Sequence, residues 1–133
     1  MFTDRRLKAA HSKINSGVDF PMYVQEIKSL GLILNEYIVK DGKTIYYSEY
    51  RYSTSTTPMY EPLEIAAQSS EELLKQAITL HRHGQTSFIS FCKQVAAAGV
   101  ENWVIDTQKM LCIYYDLSGK NLLTEKIPQL SFA

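Results

Sequence analysis

An internal repeat constrains this chain more than any other feature of its sequence. Apolar, aromatic and glycine positions of the first half recur 68 residues later, as Phe20 and Phe88 illustrate. The matched positions are Phe20, Tyr23, Val24, Ile27, Gly31, Leu32 and Ile45-Tyr46-Tyr47 against Phe88, Phe91, Cys92, Val95, Gly99, Val100 and Ile113-Tyr114-Tyr115. A repeat of this kind sets the whole fold, so residues 1–68 and 69–133 are predicted to be two diverged copies of one unit.

Each copy is predicted to begin with two amphipathic helices. Residues 74–81 carry an apolar stripe at helical spacing, and residues 7–14 carry a matching one. A second helix is predicted from Phe20 and, in the second copy, from Phe88. The predicted end signals are a capping box at Ser69 and Glu72, N-caps at Asp19 and Ser87, and left-handed glycines at Gly31 and Gly99.

Extended segments are predicted after each of these glycines. They are residues 32–39, 44–52 and 62–66 in the first copy, and 100–105, 110–117 and 122–127 in the second. Asp41-Gly42 predicts a hairpin with a two-residue turn, whereas Thr107-Gln108-Lys109 lacks glycine, so a longer loop or another register stays open there. Residues 53–58 are polar and end in proline, which predicts a surface loop found only in the first copy.

The order α-α-β-β-β, present twice, predicts an α+β fold with antiparallel sheet packed against amphipathic helices. One continuous sheet and two sheets packed back to back both satisfy the pattern. With 133 residues, the chain is predicted to form a single domain, 1–133, built from the two repeats.

The net charge limits the classes of partner that the chain suits, and the cysteine content indicates its compartment. Fourteen basic residues balance fourteen acidic ones, so no general attraction to nucleic acid or anionic lipid is expected. The small basic cluster of Arg5, Arg6, Lys8 and Lys13 is explained by a solvated helix face. No apolar run is long enough to span a membrane. Two cysteines without metal spacing favour a reducing cytoplasm, and neither a metal nor a cofactor is predicted.

Three pairs of residues are candidate sites of chemistry: two cysteines, two histidines and two carboxylates. Cys92 matches Val24 in the repeat and Cys112 matches Thr44, so both thiols are interpreted as buried filler rather than nucleophiles. His81 and His83 stand two apart on a helix, a poor metal spacing, and are interpreted as cations at a helix C-terminus. Glu36 and Asp106 could run acid/base chemistry only if a cleft brought them together.

Tyrosine clustering is the feature that composition does not explain. Six of the nine tyrosines fall in the first hairpin and the loop after it: Tyr37, Tyr46, Tyr47, Tyr50, Tyr52 and Tyr60. Strand alternation places Tyr46, Tyr50 and Tyr52 on one face, which suits a protein interface or ligand groove. The alternative is a half-buried strand whose tyrosines cover the helices. The predicted partner surface comprises Tyr37, Tyr46, Tyr50, Tyr52, Trp103 and Asp106.

Several short motifs carry a resemblance to a known family. They are Phe20-Pro21-x-Tyr23-Val24, Leu30-Gly31, Phe88-x-x-Phe91-Cys92, Ala98-Gly99-Val100-x-x-Trp103-x-x-Asp106, Cys112-x-Tyr114-Tyr115-Asp116 and Glu125-x-Ile127-Pro128. Over nearly its whole length the chain resembles the YbcV/YdfO-like family of uncharacterised, often prophage-associated bacterial proteins. The resemblance implies no catalytic residues.

Two functional hypotheses follow from these features. The first is a small non-enzymatic binding protein of mobile-element origin, monomer or homodimer, that engages a protein or small ligand through the tyrosine-rich hairpin. The second is an enzyme with a site between the repeats, using Asp106, Glu36 or a histidine. Nucleic-acid binding would require salt-sensitive retention on DNA or RNA.

Overall fold

A computed structural model describes residues 20–49 and 53–127 of the chain. These residues form one six-stranded antiparallel sheet with helices packed against one of its faces. In chain order the elements are α1 (Phe20–Ser29), β1 (Leu32–Ile38), β2 (Thr44–Ser48), β3 (Ser53–Ser55), α2 (Glu71–Arg82), α3 (Phe88–Ala97), β4 (Val100–Asp106), β5 (Leu111–Asp116) and β6 (Asn121–Lys126). The α+β class is therefore confirmed, and the sheet is continuous rather than split in two.

The strands lie in the order β3-β2-β1-β4-β5-β6, so β1 and β4 meet at the centre. Glu36 pairs with Val104, a residue 68 positions further along the chain. Shifting each member of a β1–β4 pair by 68 returns another pair of the same ladder, as Leu34 with Asp106 becomes Asn102 with Ile38. The central pairing is thus symmetric about Glu36 and Val104.

A bulge interrupts β1 and β4 at matching places. The register shifts between Leu32 and Leu34 in β1, and between Val100 and Asn102 in β4. The residues at the two bulges, Ile33 and Glu101, each use their carbonyl to accept a hydrogen bond from the other half of the sheet. Thr107 donates its N–H to Ile33 O and Val39 donates its N–H to Glu101 O, both at 3.0 Å.

The two hairpins have the same geometry although only one contains glycine in its turn. Gly42 has a φ of 79°, and Met110, which occupies the matching position, has a φ of 54°. Left-handed backbone is costly for a residue with a Cβ, yet Met110 is buried and accepts it. The β4–β5 register therefore matches that of β1–β2, which resolves the alternatives that the sequence left open.

The helices α2 and α3 each begin after a serine cap, and one of the two predicted caps is corrected. Ser87 caps α3 as predicted, since its side chain accepts from the N–H of Ser90. Ser70 caps α2 through the N–H of Leu73, so the predicted capping role of Ser69 is wrong. The Ser69 hydroxyl donates instead to Asp116 at 3.0 Å, which ties the start of α2 to the end of β5.

Two strand predictions also change. Residues 53–55 were expected in a loop, but they pair with β2 as the edge strand β3. Residues 62–66 were predicted to form an extended segment, but they are irregular. Hydrogen bonds such as Ala66 N–H to Ala96 O hold them in place. The strand β2 offers unpaired backbone groups, and pairing with them outweighs the preference of serine and threonine for a loop.

The core lies between the helices and one face of the sheet. α1 buries Tyr23, Val24 and Ile27 at the predicted spacing, and α3 buries Phe91, Cys92 and Val95. Several predictions fall outside the described residues: the helix near 7–14, the Asp19 cap, the basic cluster, Tyr50 and Tyr52.

Candidate interaction surface

Two aromatic residues of the predicted surface lie inside the core. The rings of Tyr37 and Trp103 are stacked, with centroids 4.2 Å apart and planes inclined by 12°. Phe88 packs edge-on against both of them. Only 1% of Tyr37 and 3% of Trp103 is exposed to solvent. These rings join the two halves of the sheet to α3, and they offer almost no area to a partner.

Tyr46 is also buried, in a polar network. Its hydroxyl lies 2.7 Å from the Tyr23 hydroxyl, which in turn accepts a hydrogen bond from Asn35 Nδ2 at 2.8 Å. Burial raises the pKa of Tyr46 to about 12 and also raises that of Tyr23 well above its ordinary value, so both hydroxyls stay protonated. Neither Tyr23 nor Asn35 was predicted as part of a site, because only the folded chain brings the three side chains together.

The two thiols are held in their protonated form. Burial raises the pKa of Cys92 to about 11 and that of Cys112 to about 12. The Cys92 sulfur lies 3.4 Å from the Tyr37 hydroxyl, and Tyr60 lies 3.1 Å from the same hydroxyl while donating to Val39 O. Because the thiolate is the nucleophile, neither cysteine is suited to covalent catalysis.

Glu36 and Asp106 are brought to the same face of the sheet, in two pairs of the β1–β4 ladder that the Asn35–Ile105 pair separates. Asp106 closes the β4–β5 turn, where its Oδ1 accepts from the N–H groups of Gln108 and Lys109 at 3.0 and 2.9 Å. Glu36 Oε2 accepts from Asn102 Nδ2 at 2.8 Å. One oxygen of the Asp106 carboxylate is thus committed to the turn.

The histidines of α2 occupy unlike sites. The His81 ring is buried and stacks on Phe91 with centroids 4.5 Å apart, and its Nδ1 lies 3.1 Å from Thr86 O. His83 is exposed at the C-cap of the helix. Within residues 20–49 and 53–127, no group of three or more potential ligands is placed to hold a metal ion.

The sheet face opposite α1 and α3, called the outer face below, has an unusual composition. Its residues alternate with the fully buried ones and form rows across the strands, such as Ile45, Glu36, Val104 and Ile113. Eight apolar side chains on this face are half-buried: Leu34, Ile38, Ile45, Tyr47, Val104, Leu111, Ile113 and Tyr115. In the described part of the chain, no helix makes a ring contact or a side-chain hydrogen bond with any of them.

Polar residues surround this apolar centre. The edge strands contribute Ser53, Ser55, Asn121, Thr124 and Lys126, which pair with or continue the apolar rows. Glu36 and Asn102 form the only hydrogen-bonded side-chain pair within the centre, among the residues that the structure describes. Apolar residues at both odd and even strand positions, as in Ile45-Tyr46-Tyr47, were the sequence signal for this second face.

The sequence matches one family model, over residues 8–126, described as protein of unknown function (DUF1398). That match spans well over half of the 133 residues. The chain belongs to this family. The expectation of an uncharacterised family is confirmed, and no curated protein matches the sequence.

In this member of the DUF1398 family, the buried aromatic residues and thiols belong to the core. None of the helices in the described ranges is long and apolar enough to cross a bilayer. The DUF1398 description itself assigns no activity. The outer face therefore remains the feature of this chain that packing within the described residues does not account for.

Proposed function

We propose that this protein is a non-enzymatic binding protein and that the outer face of its sheet is its interaction surface. The supporting observation is the set of eight half-buried apolar side chains on a face opposite the helices. An antiparallel sheet with one solvated face normally alternates apolar and polar residues. A contiguous apolar centre with a polar rim is instead typical of an interface.

The tyrosine-rich hairpin contributes to this surface through one of its strand faces. Tyr47 of β2 lies on the outer face, as does Tyr115 at the matching position of β5. Tyr37, Tyr46 and Trp103 form the layer beneath and set the position of the strands. Asp106, the last residue of β4, lies between Leu34 and Leu111 in one row of this face, and Tyr50 and Tyr52 stay proposed members of the surface.

We also propose that the chain arose by duplication of an α-α-β-β-β unit and folds as a single domain over residues 1–133. The constant offset of 68 residues between α1 and α3, and between β1 and β4, supports this origin. The matching bulges and the symmetric β1–β4 ladder support it independently, because neither follows from amphipathic spacing alone.

The resemblance to YbcV/YdfO-like proteins supports a more specific setting. On that basis we propose an accessory role in a mobile element such as a prophage, carried out in the cytoplasm. The neutral net charge favours a protein partner over nucleic acid.

Affinity capture with charge variants tests the proposed surface. Ile113→Lys places a charge in the apolar centre, while Leu73→Lys changes a residue on α2 that is 49% exposed. A partner retained by the wild type and by Leu73→Lys should be lost with Ile113→Lys, with unchanged circular dichroism. Equal retention by the Ile113→Lys bait would reject the outer face as the binding surface.

A further inference from the structure

Building on the proposed function, we infer that the partner of the outer face is an amphipathic helix that presents one arginine or lysine to Glu36. The position of Glu36, the groups around it and the hydrogen-bonded sheet backbone each favour such a partner.

Glu36 is a carboxylate in the middle of the outer face, with Asn102 and Asp106 diagonal to it across the β1–β4 ladder. It pairs across the sheet with Val104 and is flanked on β2 by Ile45. Its only hydrogen bond with another described residue is the one from Asn102, which orients the carboxylate through Oε2. Asn102 is neutral, so it leaves the negative charge of Glu36 uncompensated.

No cation within the described residues is placed to compensate that charge. The ion pairs found there join Lys75 to Glu71 and Arg82 to Glu125, away from the outer face. Lys126 lies on the outer face but on the edge strand β6, beyond both β4 and β5. Covering Glu36 with an apolar surface would bury a charge without a partner, which strongly disfavours such a complex. A cation from the partner removes that cost.

A second copy of this chain is a poor occupant for the same reason. Glu36 stands at the centre of the symmetric β1–β4 ladder. Two copies packed face to face about a twofold axis over that centre would bring their Glu36 carboxylates together. Like charges in a desolvated interface disfavour the complex, so the outer face is poorly suited to bind the same face of a second copy.

The backbone of the sheet favours a helix over an extended segment. The four inner strands are paired on both sides, so their N–H and C=O groups are already bonded. A peptide lying extended across the centre would therefore find no backbone partners, whereas a helix satisfies its own. An apolar helical stripe with a single central cation matches the apolar rows and Glu36.

Two stapled amphipathic peptides with identical leucine stripes would serve as probes, one with arginine at the centre and one with its neutral isostere citrulline. Methyl signals of Ile45, Val104 and Ile113 report binding by NMR titration. We expect the arginine peptide to bind wild-type protein about tenfold more tightly than the citrulline peptide, as for one charge-assisted hydrogen bond.

The variant Glu36→Gln should remove that tenfold preference because its amide carries no negative charge. The amide keeps the shape of the side chain and the contact with Asn102. Glu72→Gln is the control, since it removes an exposed carboxylate from α2, outside the outer face, and should retain the preference. Equal binding of both peptides by wild-type protein would overturn the inference while leaving the proposed surface intact.

Two further outcomes would also overturn it. If neither peptide shifts the outer-face methyl signals, the proposed surface fails together with the inference. If sedimentation shows a wild-type dimer that Ile113→Lys dissociates, the occupant is a second copy of the chain, and the outer face is an interface of another kind.

Discussion

At the residue scale, three core positions of the first half and the positions 68 residues later carry side chains of different chemistry. The first half uses Tyr23, Asn35 and Tyr46, which are joined by hydrogen bonds. The second half places rings at the same positions, Phe91, Trp103 and Tyr114, in tilted contact at 5.7 and 5.9 Å. Equivalent positions therefore share a packing task without sharing chemistry, so a polar residue at one of them does not by itself indicate a site.

Both cysteines are expected to be unreactive in the folded protein. With the pKa of Cys92 raised to about 11, its thiolate fraction at pH 8 is about 0.1%. Reaction with a disulfide reagent at pH 8 should be at least ~100-fold slower than for the protein unfolded in guanidinium, given burial and low thiolate content together. Cys92→Val, which introduces the residue found at Val24, should still fold. Rapid modification of one native thiol would contradict the structural role and revive covalent chemistry.

His81 is expected to make stability depend on pH. Burial lowers its pKa below the ordinary value of 6.5, and the bond to Thr86 O only partly opposes this. As pH falls below about 6.5, the unfolded chain takes up a proton before the folded one does. The free energy of unfolding should then decrease by at most ~1.4 kcal/mol per pH unit until the folded pKa is reached.

Urea denaturation between pH 7.5 and 5 measures this dependence. His81→Phe keeps a ring against Phe91 but cannot titrate, so it should flatten the pH dependence. His83→Gln, at the exposed C-cap, should leave the dependence as in the wild type. Identical slopes in the wild type and His81→Phe would assign the effect to other groups.

At the scale of elements, the turn after each hairpin's first strand shows how tertiary context overrides local preference. The glycine signal at Asp41-Gly42 correctly predicts a hairpin at this position, but the turn is longer than the predicted two residues, since Ile38 N–H bonds to Lys43 O and Gly42 N–H bonds to Ile38 O. In the second hairpin Met110 adopts a left-handed backbone that no local signal indicated. The flanking strands β4 and β5 are held on both sides by β1 and β6, and that pairing forces the turn.

The two glycines that end α1 and α3 provide a matched pair for mutation. Gly31 and Gly99 have φ values of 89° and 88°. A Cβ added at Gly31 would meet nothing within 4 Å, whereas at Gly99 it would lie 2.6 Å from Ser69 Cα. Gly31→Ala should cost about 1–2 kcal/mol from backbone strain alone. Gly99→Ala should cost at least ~1 kcal/mol more, because the backbone at Ser69 must move.

The difference between the two variants isolates close packing from conformational strain, and chemical denaturation measures it directly. Equal losses at both positions would show that the segment before α2 yields without cost. We expect the larger loss for Gly99→Ala because hydrogen bonds hold the segment before α2 in place, including Ser70 N–H to Ala98 O at 2.8 Å.

At the scale of the whole molecule, the two halves are expected to unfold together. Their central strands β1 and β4 pair with each other, and Trp103 of the second half stacks on Tyr37 of the first. Trp103 is the only tryptophan, so its fluorescence reports on this junction. Thermal midpoints from Trp103 fluorescence and far-ultraviolet circular dichroism should coincide. Midpoints separated by more than about 5 °C would indicate two units that unfold separately.

The sequence by itself determined the helix stripes, the left-handed glycines, the first hairpin and the α+β class. These depend on contacts between residues close in the chain, where spacing and turn chemistry decide the structure. Tertiary structure alone decided that β1 pairs with β4, that Ser53–Ser55 joins the edge and that Tyr46 faces inward while Tyr47 faces outward. Those outcomes require partners tens of residues away, and alternation along a strand whose two faces are both apolar does not show which face meets the helices.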